Sequence, residues 1–107
     1  MIMVRVIFVR DKNEYSVSMN GHARYSDVGN DIVCAAASTL GYTLWGFLEN
    51  CGSVSEIDTV ERTGEMEINC KGDKKIVKTA FDMALVGFLQ LEKTYPKFVC
   101  VDADNYK

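Results

Sequence analysis

A chain of 107 residues has room for one domain, and 48% hydrophobic with 25% charged residues and a single proline exclude a disordered or collagenous polypeptide. Twelve basic against fifteen acidic residues give a net charge of −3, which removes the broad basic surface on which duplex nucleic acid is bound. We therefore expect one domain over residues 1–107 with a real core, no nucleic-acid requirement and no membrane span, since no apolar run approaches roughly 18 residues.

The N-terminus is apolar, but Arg5 in its middle and the lack of a small-residue cleavage pattern make it a strand rather than a signal peptide. This places the protein in the cytoplasm. Ile2, Val4, Val6 and Phe8 share one face of that strand, while Met3, Ile7 and Val9 with Arg5 leave the other only partly polar, as in an interior strand. Asp11, Lys12 and Asn13 supply turn chemistry. Tyr15, Val17 and Met19 then alternate with polar residues, which predicts a hairpin with one wet face.

A helical period follows over residues 31–52, where Val33, Ala36, Ala37, Leu40, Leu44, Phe47, Leu48 and Cys51 fall three or four apart. Gly41 and Gly46 inside it imply close packing or a break. A weak strand signal over residues 53–60, a turn at Thr63 and Gly64, and alternation at Met66, Ile68 and Cys70 predict a second hairpin. Asp73 is the expected cap of a second helix carrying Ile76, Val77, Ala80, Phe81, Ala84, Leu85, Phe88 and Leu91, its apolar face widened by Met83 and Val86 and its end set by Tyr95 and Pro96. A last strand over residues 98–102 completes the order ββαββαβ. The fold class is α+β, a mostly antiparallel sheet with two long helices.

Cys34, Cys51, Cys70 and Cys100 contain no C-x-x-C pair, and one histidine is too few for the usual zinc patterns. Neither disulfides nor a metal nor any cofactor is expected. The stretch between the second strand and the first helix is the least ordinary part of the chain, a polar loop over residues 21–29 bracketed by Gly21 and Gly29 and containing the one histidine, His22. With Asn30 or Asp31 as N-cap, Cys34 falls in the first turn of the helix, where outward amides and the positive dipole end favour a thiolate. A cysteine of this kind paired with histidine is a nucleophile with its acid and base. The twelve-residue gap between His22 and Cys34 permits that pair without forcing it. Asp31 is either a simple cap or an orienter of His22, and Ser38, one turn after Cys34, is either an exposed helix serine or a hydrogen-bond donor to the thiolate or a substrate carbonyl.

Gly21-His22-Ala23, Gly29 and Asp31-Ile32-Val33-Cys34-Ala35-Ala36 with Ser38 closely resemble the bacterial ribosomal-processing cysteine protease family, Prp. Gly87, Leu91, Tyr95 and Pro96 resemble that family's closing helix and its exit, while Ala37 and Ser26 depart from its usual valine and alanine. The resemblance implies a cytoplasmic cysteine endopeptidase with Cys34 as nucleophile and His22 as partner. Its substrate would be a ribosomal protein precursor, the large-subunit protein L-twenty-seven, whose N-terminal extension it removes. An apolar groove beside the pair and a homodimer are also implied. The second helix is itself too apolar all round to face water on any broad side. Two other classes remain: a non-enzymatic ribosome-binding adaptor using Lys71, Lys74, Lys75 and Lys78, and a thiol redox sensor using Cys34.

Overall fold

The computed structural model describes residues 3–21, 28–62 and 64–106. Its elements are β1 (Val4–Asp11), β2 (Glu14–Asn20), α1 (Val28–Asn50), β3 (Glu56–Arg62), β4 (Glu65–Lys71), α2 (Lys75–Thr94) and β5 (Val99–Asn105). The five strands form one sheet in the order β3-β4-β2-β1-β5. Three pairings are antiparallel; β1 and β5 run parallel, which requires a crossover, and α2 provides it. The expected element order and sheet type are those observed.

The period of two in the strands decides which face is buried. Register aligns Val6 with Met19, Phe8 with Val17, Val17 with Ile68 and Tyr15 with Cys70, so the apolar set of each strand falls on the same side of the sheet. Both helices cover that side. Val33, Ala37, Leu44 and Leu48 of α1 and Val77, Phe81, Ala84 and Phe88 of α2 are buried with the strand residues in one core. Aromatic rings lock α2 to the sheet: Tyr15 stacks on Phe81 at 5.1 Å between centroids, and Phe8 meets Phe88 edge to face at 5.8 Å. The opposite face carries no helix among the described residues. Strand β1 is interior in the sheet order as expected, yet Ile7 and Val9 on that uncovered face are exposed.

Several expected boundaries move. Helix α1 begins at Val28 rather than near residue 31, so Gly29, Asn30 and Asp31 are helical and Gly29 does not close the loop. It continues through Gly41 and Gly46 without a break. Gly41 is instead a site of close approach: a Cβ there would lie 2.7 Å from Met19 Cε and 2.7 Å from Met66 Sδ. Helix α2 is not capped by Asp73; its N-cap is Lys74, with no side-chain cap bond. Its C-terminus is as expected, with Tyr95 at the C-cap donating its N–H to the Leu91 carbonyl. Strand β3 starts at Glu56, and β5 runs on to Asn105. Gly64, at φ +78°, turns between β3 and β4, and Thr63 lies outside the described residues. Contrary to expectation, Ile32–Asn50 is long and apolar enough to cross a membrane by length and composition, but Val33, Cys34, Ala37, Leu44 and Leu48 along it are buried in the core.

Candidate active site

Cys34 is the seventh residue of α1, so it stands in the second turn and not in the first. The dipole effect invoked from sequence falls off within the first turn, and the geometry withdraws much of that support. Its side chain is 5% exposed and belongs to the core cluster that includes Val33 and Ala37. Asp31 is in the first turn as a helical residue, with its side chain outside the described residues, and Gly29 is the helix's second residue. His22 lies outside the described residues.

Gly21 fixes where that segment leaves the sheet. It has φ +91°, and a Cβ on it would collide with the carbonyl of Met3 at the start of β1. Only glycine combines that backbone conformation with so close an approach. Gly21 is thus pinned beside the start of the first strand.

Ser38 follows Cys34 by one turn and Tyr42 by two, so the three form a stripe along α1. Beside Ser38 and Tyr42 opens a cavity of about 270 Å³, floored by Val4, Met19, Ala37 and Met66. Glu61, Arg62 and Glu65, at the turn joining β3 to β4, stand at its mouth, where Arg62 pairs with Glu65 at 3.7 Å. No residue at this mouth was singled out from sequence. Its pairing with the helix depends on a turn more than twenty residues downstream, which no local pattern reveals.

The other cysteines differ from Cys34 in place. Cys70 is buried in β4, and burial, helped by the neighbouring Cys51, pushes its thiol up to about 11. Cys51 is half-buried and bonded to the Leu48 carbonyl, and Cys100 is exposed on β5. None of the four is in a disulfide. Among the described residues no group of three His, Cys, Asp or Glu side chains is placed to hold a metal. The lysines of the adaptor reading are divided: Lys71 bridges Glu14 and Glu56 on the sheet at 3.3 and 3.6 Å, and Lys78 pairs with Asp82 at 2.7 Å.

The profile of the family described as cysteine protease Prp matches residues 1–100. The chain belongs to the Prp cysteine protease family. Solved structures repeat the fold. The SMU.848 protein from Streptococcus mutans is similar at 29% identity and a TM-score of 0.76, over 95% of this chain and 94% of that one. The ribosomal processing protease Prp from S. aureus in complex with a substrate peptide is similar at 21% identity and a TM-score of 0.76. With a covalently linked product peptide it is similar at 24% and 0.75, and in both cases 97% of this chain and 100% of the other are covered. Curated protein sequences give no match.

Proposed function

We propose that the protein is a cytoplasmic endopeptidase that removes the N-terminal extension of the precursor of the large-subunit ribosomal protein L-twenty-seven, with Cys34 as nucleophile and His22 as its acid and base. The observation that carries this reading is Cys34 on a helix stripe that runs alongside a side-chain-sized cavity, in a chain of the Prp family. The S. aureus relative seen with a substrate peptide and with a covalently linked product peptide supports it.

In this mechanism His22 accepts the thiol proton, and the Cys34 sulfur adds to the scissile carbonyl carbon to give a tetrahedral oxyanion. The N–H groups at the start of α1, which have no intrahelical acceptor, are assigned to the charge that develops. Collapse expels the amine of the mature protein, which takes the proton from His22 and leaves a thioester. Water then hydrolyses the thioester, losing its proton to His22 and restoring the thiol. Asp31 and Ser38 are the supporting residues, Asp31 towards His22 and Ser38 towards a substrate carbonyl. No metal or cofactor enters a step.

The protein is proposed to form a homodimer. Ile76, Met83, Val86 and Leu89 form an exposed apolar stripe along α2, continued by Phe47 of α1, and a second copy of the chain would cover it. A reducing compartment suits four cysteines none of which is in a disulfide. Incubation with the full-length precursor, followed by mass measurement of the products, tests the assignment. Wild-type protein yields the truncated ribosomal protein, Cys34→Ala and His22→Ala lose essentially all turnover, and Cys51→Ala, Cys70→Ala and Cys100→Ala retain it. Equal loss in all four cysteine variants at matched folded fraction would sink the role of Cys34.

A further inference from the structure

The cavity beside α1 has two parts of different chemistry. Its floor is built around the thioethers of Met19 and Met66, side chains that adapt to varied apolar shapes. Its mouth is charged. Arg62 is taken up by Glu65, whereas Glu61 has no ion-pair partner among the described residues. Glu61 and Met66 are cross-strand partners, so the carboxylate stands on the helix-facing side of the sheet, directly beside the apolar floor.

Position along the helix sets which part of a peptide reaches this place. Ser38 and Tyr42 are four and eight residues beyond Cys34, or about 6 and 12 Å at 1.5 Å per residue. An extended peptide advances about 3.3 Å per residue, so the side chain that enters belongs to a residue about two to four positions from the bond at Cys34. At about 270 Å³ the cavity is smaller than a site for a drug-sized ligand and suits one large side chain.

We propose that this cavity is a two-part specificity subsite. It seats one large apolar side chain between Met19 and Met66, and Glu61 selects a Lys or Arg of the same peptide within two positions of that side chain. The inference rests on Cys34 being the nucleophile. Mutual neutralisation of Arg62 and Glu65 leaves a single negative charge at the mouth, which attracts a cationic flank and rejects an acidic one. Glu61 is a specificity residue and not part of the catalytic machinery.

The test uses synthetic peptides of the ribosomal precursor's N-terminal extension in which each position near the cleaved bond is replaced in turn by Leu, Ala, Lys or Glu. They are assayed with wild-type, Glu61→Lys and Asp58→Lys proteins. Asp58 lies on the same strand but on the uncovered sheet face, and its variant makes the same change in net charge. For the wild type, replacing the seated residue by Ala lowers kcat/KM, and its neighbour prefers Lys to Glu by about tenfold. Glu61→Lys reverses that preference at the same position, while Asp58→Lys keeps it. An unchanged Lys-to-Glu ratio in Glu61→Lys, or the same reversal in both variants, overturns the subsite. Anisotropy binding of the same labelled peptides to Cys34→Ser protein separates the two ideas. Reversal in binding without any wild-type cleavage defeats the protease reading alone, cleavage without reversal defeats the subsite alone, and neither binding nor cleavage defeats both.

Discussion

Three glycines show how the surroundings of one missing methyl group decide its value. At Gly21 an added Cβ meets backbone, the Met3 carbonyl, at φ +91°, and neither the strand nor the dihedral can yield. We expect Gly21→Ala to cost about 1–3 kcal/mol and to displace the segment that carries His22. At Gly41 the obstacles are the free ends of Met19 and Met66, which can swing aside. Gly41→Ala should cost about 1 kcal/mol or slightly more and push the thioethers into the cavity, raising KM more than it lowers stability. Gly46 has nothing within 4 Å of an added Cβ and lies inside α1, so Gly46→Ala should stabilise by up to about 1 kcal/mol. Urea denaturation of the three variants checks the ranking, and Gly46→Ala less stable than Gly41→Ala would refute it. The cysteines obey the same logic. With its thiol pushed up to about 11, Cys70 should resist alkylation at pH 7.5 in the folded protein while exposed Cys100 reacts well ahead of it, as peptide mass mapping would report.

At the scale of elements, the end of the chain is held by a polar contact on α2. Tyr106 donates its hydroxyl to Asp82 at 2.6 Å, and its ring meets Phe8 edge to face at 5.6 Å. Partial burial opposes ionisation of Asp82, but hydrogen bonds from Lys78 and Tyr106 outweigh it and hold the carboxyl below the ordinary range. A depressed carboxyl stabilises the fold above its unfolded value near pH 4, and the benefit fades as pH falls through the folded value. Tyr106→Phe should therefore cost about 1 kcal/mol at pH 7, with the stabilities of variant and wild type converging as pH falls below the ordinary carboxylate range. A difference constant from pH 7 to pH 2.5 in denaturant titrations would contradict this. The strands and the C-terminus of α2 were legible in sequence because alternation and the Tyr95-Pro96 pair act locally. The start of α1 was not, because Gly29, Asn30 and Asp31 carry cap chemistry and yet are helical. Strand β5 was cut short for a similar reason: Asp104 and Asn105, beyond the expected end at Asp102, read as loop, yet Asn105 pairs with Val9 of β1 and Asp104 continues the strand. Of the site, the family motif brought out Cys34, whereas its burial and the cavity with Glu61 depend on packing between distant segments.

At the scale of the molecule, two helices on one face of a sheet leave an outer helix surface that must meet either water or another molecule. Most of that surface on α1 is mixed, but on α2 the residues at positions 76, 83, 86 and 89 are apolar and follow the helical period, with Met83 71% and Val86 57% exposed. Between the helices lies an almost wholly apolar groove of about 200 Å³, bordered by Leu40, Phe47, Ile76 and Met83. A twofold axis across α2 would set each copy's stripe into the other's groove, since the same patch then serves both subunits. The active sites would stand apart from this contact, because the Cys34 stripe borders the cavity at the β3–β4 turn. On this arrangement association and catalysis would be separable. Met83→Asp and Val86→Asp together should convert a dimer to a monomer in sedimentation equilibrium, changing monomer stability by no more than about 0.5 kcal/mol because both side chains are already in water. Cleavage per folded chain should be retained. A wild-type protein that sediments as a monomer at tens of micromolar would remove the dimer, and a double variant that still sediments as a dimer would move the interface away from α2.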